Sequence, residues 1–197
     1  MTEQFFGDPR LKILEDSAGC ASENMYKEHA LMNFMADMLR EETNADIALY
    51  NHGGVRISEL PKGRIPLAAV YNIEPFYNRA VTKDMTLDEI AELIMEHYND
   101  RKCGDWHKKD VFPSGMSYTV TLDEKKDMTG VQFSIPKEKQ HYRTFKTAMT
   151  NFMSSEYAHA QSGQGCIDSV CIADRMKHYL EKNNPLRGDN DARVFGY

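Results

Sequence analysis

Apolar residues recur along this chain at spacings that mark its elements. Leu31, Phe34, Met35, Met38 and Leu39 follow the three-and-four spacing of a helix with one buried face, so 24–42 is predicted helical with Asn24 as its N-cap. Residues 47–50 form a short apolar run that predicts a strand over 46–50, and 61–63 (Pro-Lys-Gly) predict a turn. Residues 66–72 suit one or two helical turns with Pro66 first, 73–76 a loop because the residue before a proline avoids helix, and 79–84 a strand. The clearest helix is 86–99. Thr86 and Glu89 have capping-box spacing, and Leu87, Ile90, Leu93, Ile94 and Tyr98 mark its apolar face. Residues 100–110 have no period and read as an exposed loop. Strands are predicted at 111–122, 130–135 and 141–149, with a polar turn at 123–129. A last helix is predicted over 168–182, with Asp168 as N-cap and Asn183-Asn184-Pro185 as its stop. Helices and strands alternate without a regular βαβ period, which places the chain in the α+β class. Residues 1–20 read as a lead-in segment and 21–197 as one domain.

The chain has 197 residues, 41% of them hydrophobic and 27% charged, the balance of a soluble globular protein. Its formal net charge of −6 argues against nucleic acid as the main partner, while a local basic cluster could still hold one anion. No apolar run reaches the length of a membrane span. The start, Met1-Thr2-Glu3-Gln4-Phe5-Phe6, lacks the features of a signal peptide, which leaves a cytoplasmic protein or a trimmed fragment as readings. Cys20, Cys103, Cys166 and Cys171 have neither zinc-site nor CxxC spacing; free, partly buried thiols are expected over a Cys166–Cys171 disulfide.

One loop carries the candidate chemistry. The 46–50 strand runs into Asn51-His52-Gly53-Gly54-Val55-Arg56. Adjacent glycines allow close backbone approach, and consecutive N–H groups in such a turn can hold an oxygen or an anion. Arg56 offers a fixed fork of donors suited to a carboxylate or phosphate, and Asn51 both an acceptor and donors. A strand-ending turn with a solvated Arg is the plain alternative. His52 borders this loop; the other histidines are scattered, and His97, late in its helix, is explained by the helix dipole.

The neighbourhood of that loop resembles the C-terminal domain of the 5'-nucleotidase family. The matching pieces stand in family order: Glu28, Asn33 and Asp37 on the first helix, Asn44-Ala45-Asp46-Ile47-Ala48, the 51–56 loop, Gly63-Arg64-Ile65, and Ile73-Glu74-Pro75-Phe76-Tyr77-Asn78. Looser matches follow at Ser114-Gly115-Met116-Ser117-Tyr118, from Tyr142 to Phe152, and from Asp168 to Arg193. The resemblance implies layered helices and mixed sheets in a single compact domain that recognises a nucleoside or nucleotide. It implies that Phe76 and Phe152 stack on the base, and that Asn51, Gly53, Gly54 and Arg56 meet the nucleoside and phosphate end. It places Lys27 where the family often has an Arg, and makes Glu28, Asn33 and Asp37 supports of the loop. The family typically continues after the second aromatic with Gly-Gly-Asp-Gly. Here the chain reads Met153-Ser154-Ser155-Glu156-Tyr157-Ala158, a bulkier backbone that can reshape the pocket, with Glu156 as the acid that could reach the same space.

In full-length relatives phosphoester cleavage belongs to a separate metallophosphatase domain, whose two divalent metals activate a water. Its Gly-Asn-His and His-x-His motifs do not occur in this chain, and Gly7-Asp8, Gly104-Asp105 and Gly188-Asp189 are isolated dipeptides. The expected reading is therefore a substrate-recognition domain without its own catalytic residues or cofactor, paired with a metallophosphatase domain or subunit. A stand-alone nucleotide-binding module, or a degenerate structural protein that keeps the fold, are the alternatives. Family members are commonly periplasmic or extracellular, though nothing in these residues shows export.

Overall fold

The computed structural model describes residues 9–100, 111–157, 160 and 165–196. Its centre is β3 (Ile47–Asn51), a strand buried along its whole length. On one side β3 pairs antiparallel with β7 (Val111–Ser114), and on the other it pairs parallel with β10 (Phe145–Thr150). β6 (Arg79–Met85) and β11 (Cys166–Cys171) complete a five-stranded mixed sheet of order β11-β6-β10-β3-β7.

Both faces of this sheet are covered at β3, so that strand is apolar on both sides instead of alternating with polar positions, while the edge strand β11 is largely exposed. Ala48 and Tyr50 of β3, Ala80 of β6, Phe112 of β7 and Ala148 of β10 face one core. That core is closed by α1 (Met32–Glu42), α2 (Leu67–Ile73) and α5 (Ile172–Lys182). Ile47, Leu49, Val81, Val111 and Met149 face the second core. It is closed by α3 (Leu87–Asn99) and by β8 (Ser117–Leu122) and β9 (Met128–Ser134). β8 and β9 belong to a three-stranded sheet with β12 (Val194–Phe195). The short helix α4 (Asn151–Glu156) follows β10 directly and drops Met153 into the second core. Among the described residues no helix is long and apolar enough to cross a membrane.

α3 begins as its sequence predicts. Thr86 Oγ accepts from the Glu89 N–H at 3.2 Å, and the Glu89 carboxylate accepts from the Thr86 N–H at 2.7 Å. His97 lies on the buried face of α3, its ring 5.1 Å from that of Tyr157, so packing and not the helix dipole alone places it.

Several elements depart from the local pattern. The first helix does not start at 24. Met25–Tyr26 form β2, paired with β4 (Glu59–Leu60), and the chain then passes through a π-helical turn, Lys27–Leu31, into α1. Asn24 caps nothing; its Oδ1 accepts from the Lys62 N–H at 2.8 Å. The predicted strand 111–122 is two strands, because Gly115 at φ +82° turns the chain out of the five-stranded sheet and into the three-stranded one. Residues 166–171 pair with β6 at the sheet edge, so the last helix starts only at Ile172. Asp168 is consequently not its N-cap and pairs with Arg175. Pro66 precedes α2 instead of opening it, as the last residue of β5 (Gly63–Pro66). In the lead-in, β1 (Ser17–Ala21) pairs antiparallel with β5. Cys20, Cys166 and Cys171 are free thiols, Cys166 exposed; Cys103 and the predicted loop 101–110 lie outside the described residues.

Asn33 and Asp37 do not support the 51–56 loop. The Asn33 amide donates to the carbonyls of Asp189 and Asp191, both at 2.9 Å. Asp37 accepts from Ser114 Oγ at 2.6 Å and from both terminal nitrogens of Arg193, at 2.7 and 2.8 Å. Helix α1 uses these residues to bind the C-terminal tail, because their side chains project toward 189–193 and β7. Removing one partner of a half-buried bidentate pair strands the other charge. Arg193→Ala is expected to lower unfolding free energy by roughly 2–3 kcal/mol in urea denaturation. Thr86→Ala, which loses one cap, is expected to cost about 1 kcal/mol.

Candidate functional site

At the end of β3 the chain makes one 3-10 turn, His52–Gly54, closed by Val55 N–H donating to His52 O at 3.3 Å. The turn is packed against its own strand. A Cβ on Gly54 would lie 2.8 Å from Tyr50 Cε1 and 3.2 Å from Asn51 Oδ1, so glycine is required here for space. The Asn51 side chain folds back beneath the turn and is 6% exposed. Gly53 is looser, with Asn51 Nδ2 at 3.7 Å from the same point on its backbone. The His52 ring packs 6.2 Å from that of Phe112.

Two cations flank the turn. Lys27 Nζ donates to Val55 O at 2.6 Å, which ties the π-helical turn to the loop. Burial lowers the Lys27 pKa, the neighbouring Arg56 charge lowers it further, and Glu28 acts in the opposite sense. Arg56 is anchored by its backbone, its N–H donating to Ile73 O at 2.9 Å, while its guanidinium lies over the Phe76 ring, 5.6 Å from the centroid. A cation over an exposed ring is worth about 0.5–1 kcal/mol. Among the described residues no carboxylate pairs with Arg56, so its charge faces solvent beside an aromatic surface.

Phe76 is 50% exposed and Phe152 41%, large fractions for phenylalanine. Phe152 sits in the first turn of α4, whose N-cap Thr150 accepts from Met153 N–H at 3.2 Å. Arg79 N–H donates to Asn151 Oδ1 at 2.7 Å, joining the strand that follows Phe76 to the residue just before Phe152. The segment that replaces the expected glycine loop is helical here, with Met153 and Tyr157 anchored in the core and Glu156 exposed.

The 73–78 segment holds two polar groups that sequence reasoning did not single out. Glu74 is 1% exposed, and its Oε1 accepts from Asn78 Nδ2 at 2.7 Å. Burial raises its pKa, while hydrogen bonding from Asn78 and from the Phe76 backbone acts the other way. Its second oxygen, the Tyr50 hydroxyl and Asn51 Oδ1 are buried with no hydrogen-bond partner among the described residues. The Tyr50 phenol is pushed well above its ordinary pKa, by burial first and then by Glu74. Between Glu74 and Asn78, Tyr77 holds φ +54° and is 72% exposed. A bulky residue in the left-handed region costs of order 1–3 kcal/mol and persists only where its surroundings fix it. The available sequence signal was Asn78 itself, two residues beyond Phe76 in the matched motif.

The structure therefore gathers Lys27, Glu28, Asn51, Gly53, Gly54, Arg56 and Phe76 at one corner. It brings Phe152 toward them through Asn151 and assigns Asn33 and Asp37 to the tail. The corner offers a solvated guanidinium, a second cation behind it, and exposed rings. Among the described residues, no group of three or more His, Cys, Asp or Glu side chains could hold a metal ion.

Comparison with known proteins identifies the family and the fold. The family described as 5'-nucleotidase, C-terminal domain, matches residues 12–161. A trifunctional nucleotide phosphoesterase protein, YfkN of Bacillus subtilis (strain 168), is 28% identical over 189 residues, 86% of this chain and 13% of its own length. Endonuclease YhcR of the same organism is 29% identical over 125 residues, 64% of this chain and 10% of its own. The chain thus spans a small part of the curated relatives it matches. Among solved structures, the 5'-nucleotidase precursor of Thermus thermophilus aligns with TM-score 0.81 at 21% identity, over 98% of this chain and 42% of that one. The NAD nucleotidase NadN of Haemophilus influenzae aligns with TM-score 0.71 at 14% identity, over 94% and 39%.

Gly54→Ala is expected to displace the Tyr50 ring and to lower stability by roughly 1–3 kcal/mol, read from denaturant midpoints. Gly53→Ala, with its nearest neighbour at 3.7 Å, is expected to have a much smaller effect.

Proposed function

The chain belongs to the 5'-nucleotidase C-terminal domain family, and from that membership we propose that it is the nucleoside- or nucleotide-recognition part of a phosphoester hydrolase of nucleotide catabolism. The observation that carries this reading is the pairing of Arg56 with Phe76 at 5.6 Å, beside a second cation, Lys27. A nucleotide has two chemically distinct ends, and this corner has a group for each. Exposed aromatic surface at Phe76 and Phe152 suits the flat, apolar base. The Arg56 fork suits the phosphate, to which guanidinium binds in two-point fashion. Asn51 and the Gly53–Gly54 backbone stand in the same loop, just before Arg56.

The hydrolytic step would fall to a metallophosphatase domain or subunit, with divalent metals supplied there. In this division of labour the present chain binds and orients the substrate. The proportions of the relatives support the reading, because this chain aligns with about two-fifths of each solved nucleotidase.

A second reading has its own observation. The stretch after Phe152 is helical and anchored by Met153, where the family typically has a flexible glycine loop with an Asp. A pocket remodelled in this way would take a different ligand, or the fold would persist as a structural module.

Metal-free calorimetric titration with adenosine, AMP and UDP-glucose separates the two readings. Saturable binding of any of these is expected. Phe76→Ala should weaken it by one to two orders of magnitude, since base stacking is worth about 1–3 kcal/mol. Arg56→Ala should remove the preference for AMP over adenosine while leaving the melting temperature nearly unchanged. A well-folded chain that binds none of the three favours the remodelled pocket.

A further inference from the structure

The turn that presents Phe76 is closed by a single buried carboxylate. Its downstream end is already fixed from outside: Asn78 O accepts from the Ile172 N–H at 2.7 Å, and Arg79 N–H is held by Asn151. Its upstream end leaves α2, where the Glu74 N–H donates to Val70 O at 3.2 Å. Between these anchors the backbone passes through the left-handed conformation of Tyr77. Glu74 crosses this gap. Its Oε1 takes the Asn78 amide at 2.7 Å, and the Phe76 and Asn78 backbones also direct hydrogen bonding to the same carboxylate. We infer that Glu74 is a positioning residue for the ligand corner, its carboxylate fixing the 74–78 turn so that the Phe76 ring stands against Arg56. The inference rests on the nucleotide reading above.

The arrangement is a poor one for stability alone. Among the described residues, Glu74 Oε2 is buried without a hydrogen-bond partner, as are the Tyr50 hydroxyl and Asn51 Oδ1 beneath the adjacent turn. No described cation acts on the carboxylate; the titratable group that faces it is the Tyr50 phenol of β3, which its burial and the Glu74 charge keep neutral, and Asn78 is neutral as well. Burial raises the Glu74 pKa in the folded chain, so the folded state holds this proton more tightly than the unfolded one. The stabilisation from the neutral acid is therefore complete below the ordinary carboxylate pKa and is lost as pH rises through the raised value. Once ionised, the carboxylate that closes the turn is held at a cost to the fold.

Glu74→Gln separates positioning from simple structural support. The glutamine Oε1 can still accept from Asn78, so that hydrogen bond is retained while the charge is removed. Three quantities are read: melting temperature at pH 7.5 and pH 4, hydrogen exchange of the 75–79 amides without ligand, and AMP affinity by calorimetry. The expected result is a melting temperature at pH 7.5 equal to or above that of the parent, an advantage that disappears toward pH 4. Exchange in 75–79 should quicken, and AMP affinity should fall about tenfold, the size of one charge-assisted hydrogen bond. Tyr50→Phe, which removes an unpartnered hydroxyl and leaves the carboxylate in place, should raise the melting temperature and leave AMP affinity unchanged. Unchanged exchange and affinity in Glu74→Gln would overturn the inference. So would a parallel fall in melting temperature and affinity, the mark of a purely structural residue. Should Glu74→Gln fail to fold, Asn78→Ala removes the same hydrogen bond from its other end; its melting temperature should fall because the buried carboxylate loses its partner, so it is read from 75–79 exchange and AMP affinity where it is folded, and no change in either would overturn the inference. Faster exchange in the variant, with no AMP binding by either protein, would support the fixing of the turn by Glu74 and overturn the nucleotide reading.

Discussion

Burial of β3 on both faces is the constraint from which the rest of the structure follows. A strand with helices on one side and a second layer on the other has no solvated face, so Ile47, Ala48, Leu49 and Tyr50 are all core residues. Among the described residues the two cores form separate clusters, to both of which β3 contributes. Polar groups are tolerated at the end of the strand, and it is there that the chain turns through Asn51 to Arg56. The candidate site is thus placed by the strand that is most deeply fixed, an arrangement that gives a surface loop a rigid base.

Rigidity at that corner comes from contacts remote in sequence. Lys27 reaches Val55 from the π-helical turn, Ile73 at the end of α2 holds the Arg56 backbone, and Asn151 holds Arg79. Each is a side-chain or backbone bond to main chain, so the loop's path is set without using the guanidinium or the exposed rings. Those groups stay available. The electrostatics follow the same division: Lys27 sits partly buried next to Arg56, a repulsive pair that an anion between them would relieve.

The tail shows how polar residues on α1 serve assembly and not the site. Asn33 and Asp37 stand four residues apart on one helix face, and both point to 189–193, with Arg193 bridging Asp37 and Asp189. Spacing alone could not distinguish a partner at the 51–56 loop from one at the far end of the chain. The same limit applies to Glu74. Its place before Pro75 gave no sign that its carboxylate would be buried against Asn78 and Tyr50, because that burial depends on how α2 ends over β3.

The sequence by itself determined the elements whose signals are local: the α3 capping box and apolar face, the strand into the 51–56 loop, the glycines of that loop, and through its motifs the family and the α+β class. Tertiary structure alone decided the rest. Residues 25–26 and 166–171 are strands because partner strands at 59–60 and in β6 are available to satisfy their backbone groups, which outweighs their helical context. The 111–122 run divides at Gly115 because its two halves belong to different sheets. Periodicity reports which face of an element is apolar. It carries no information on which distant backbone will complete that element's hydrogen bonds, or which buried carboxylate will hold a turn, because those are properties of the packed chain.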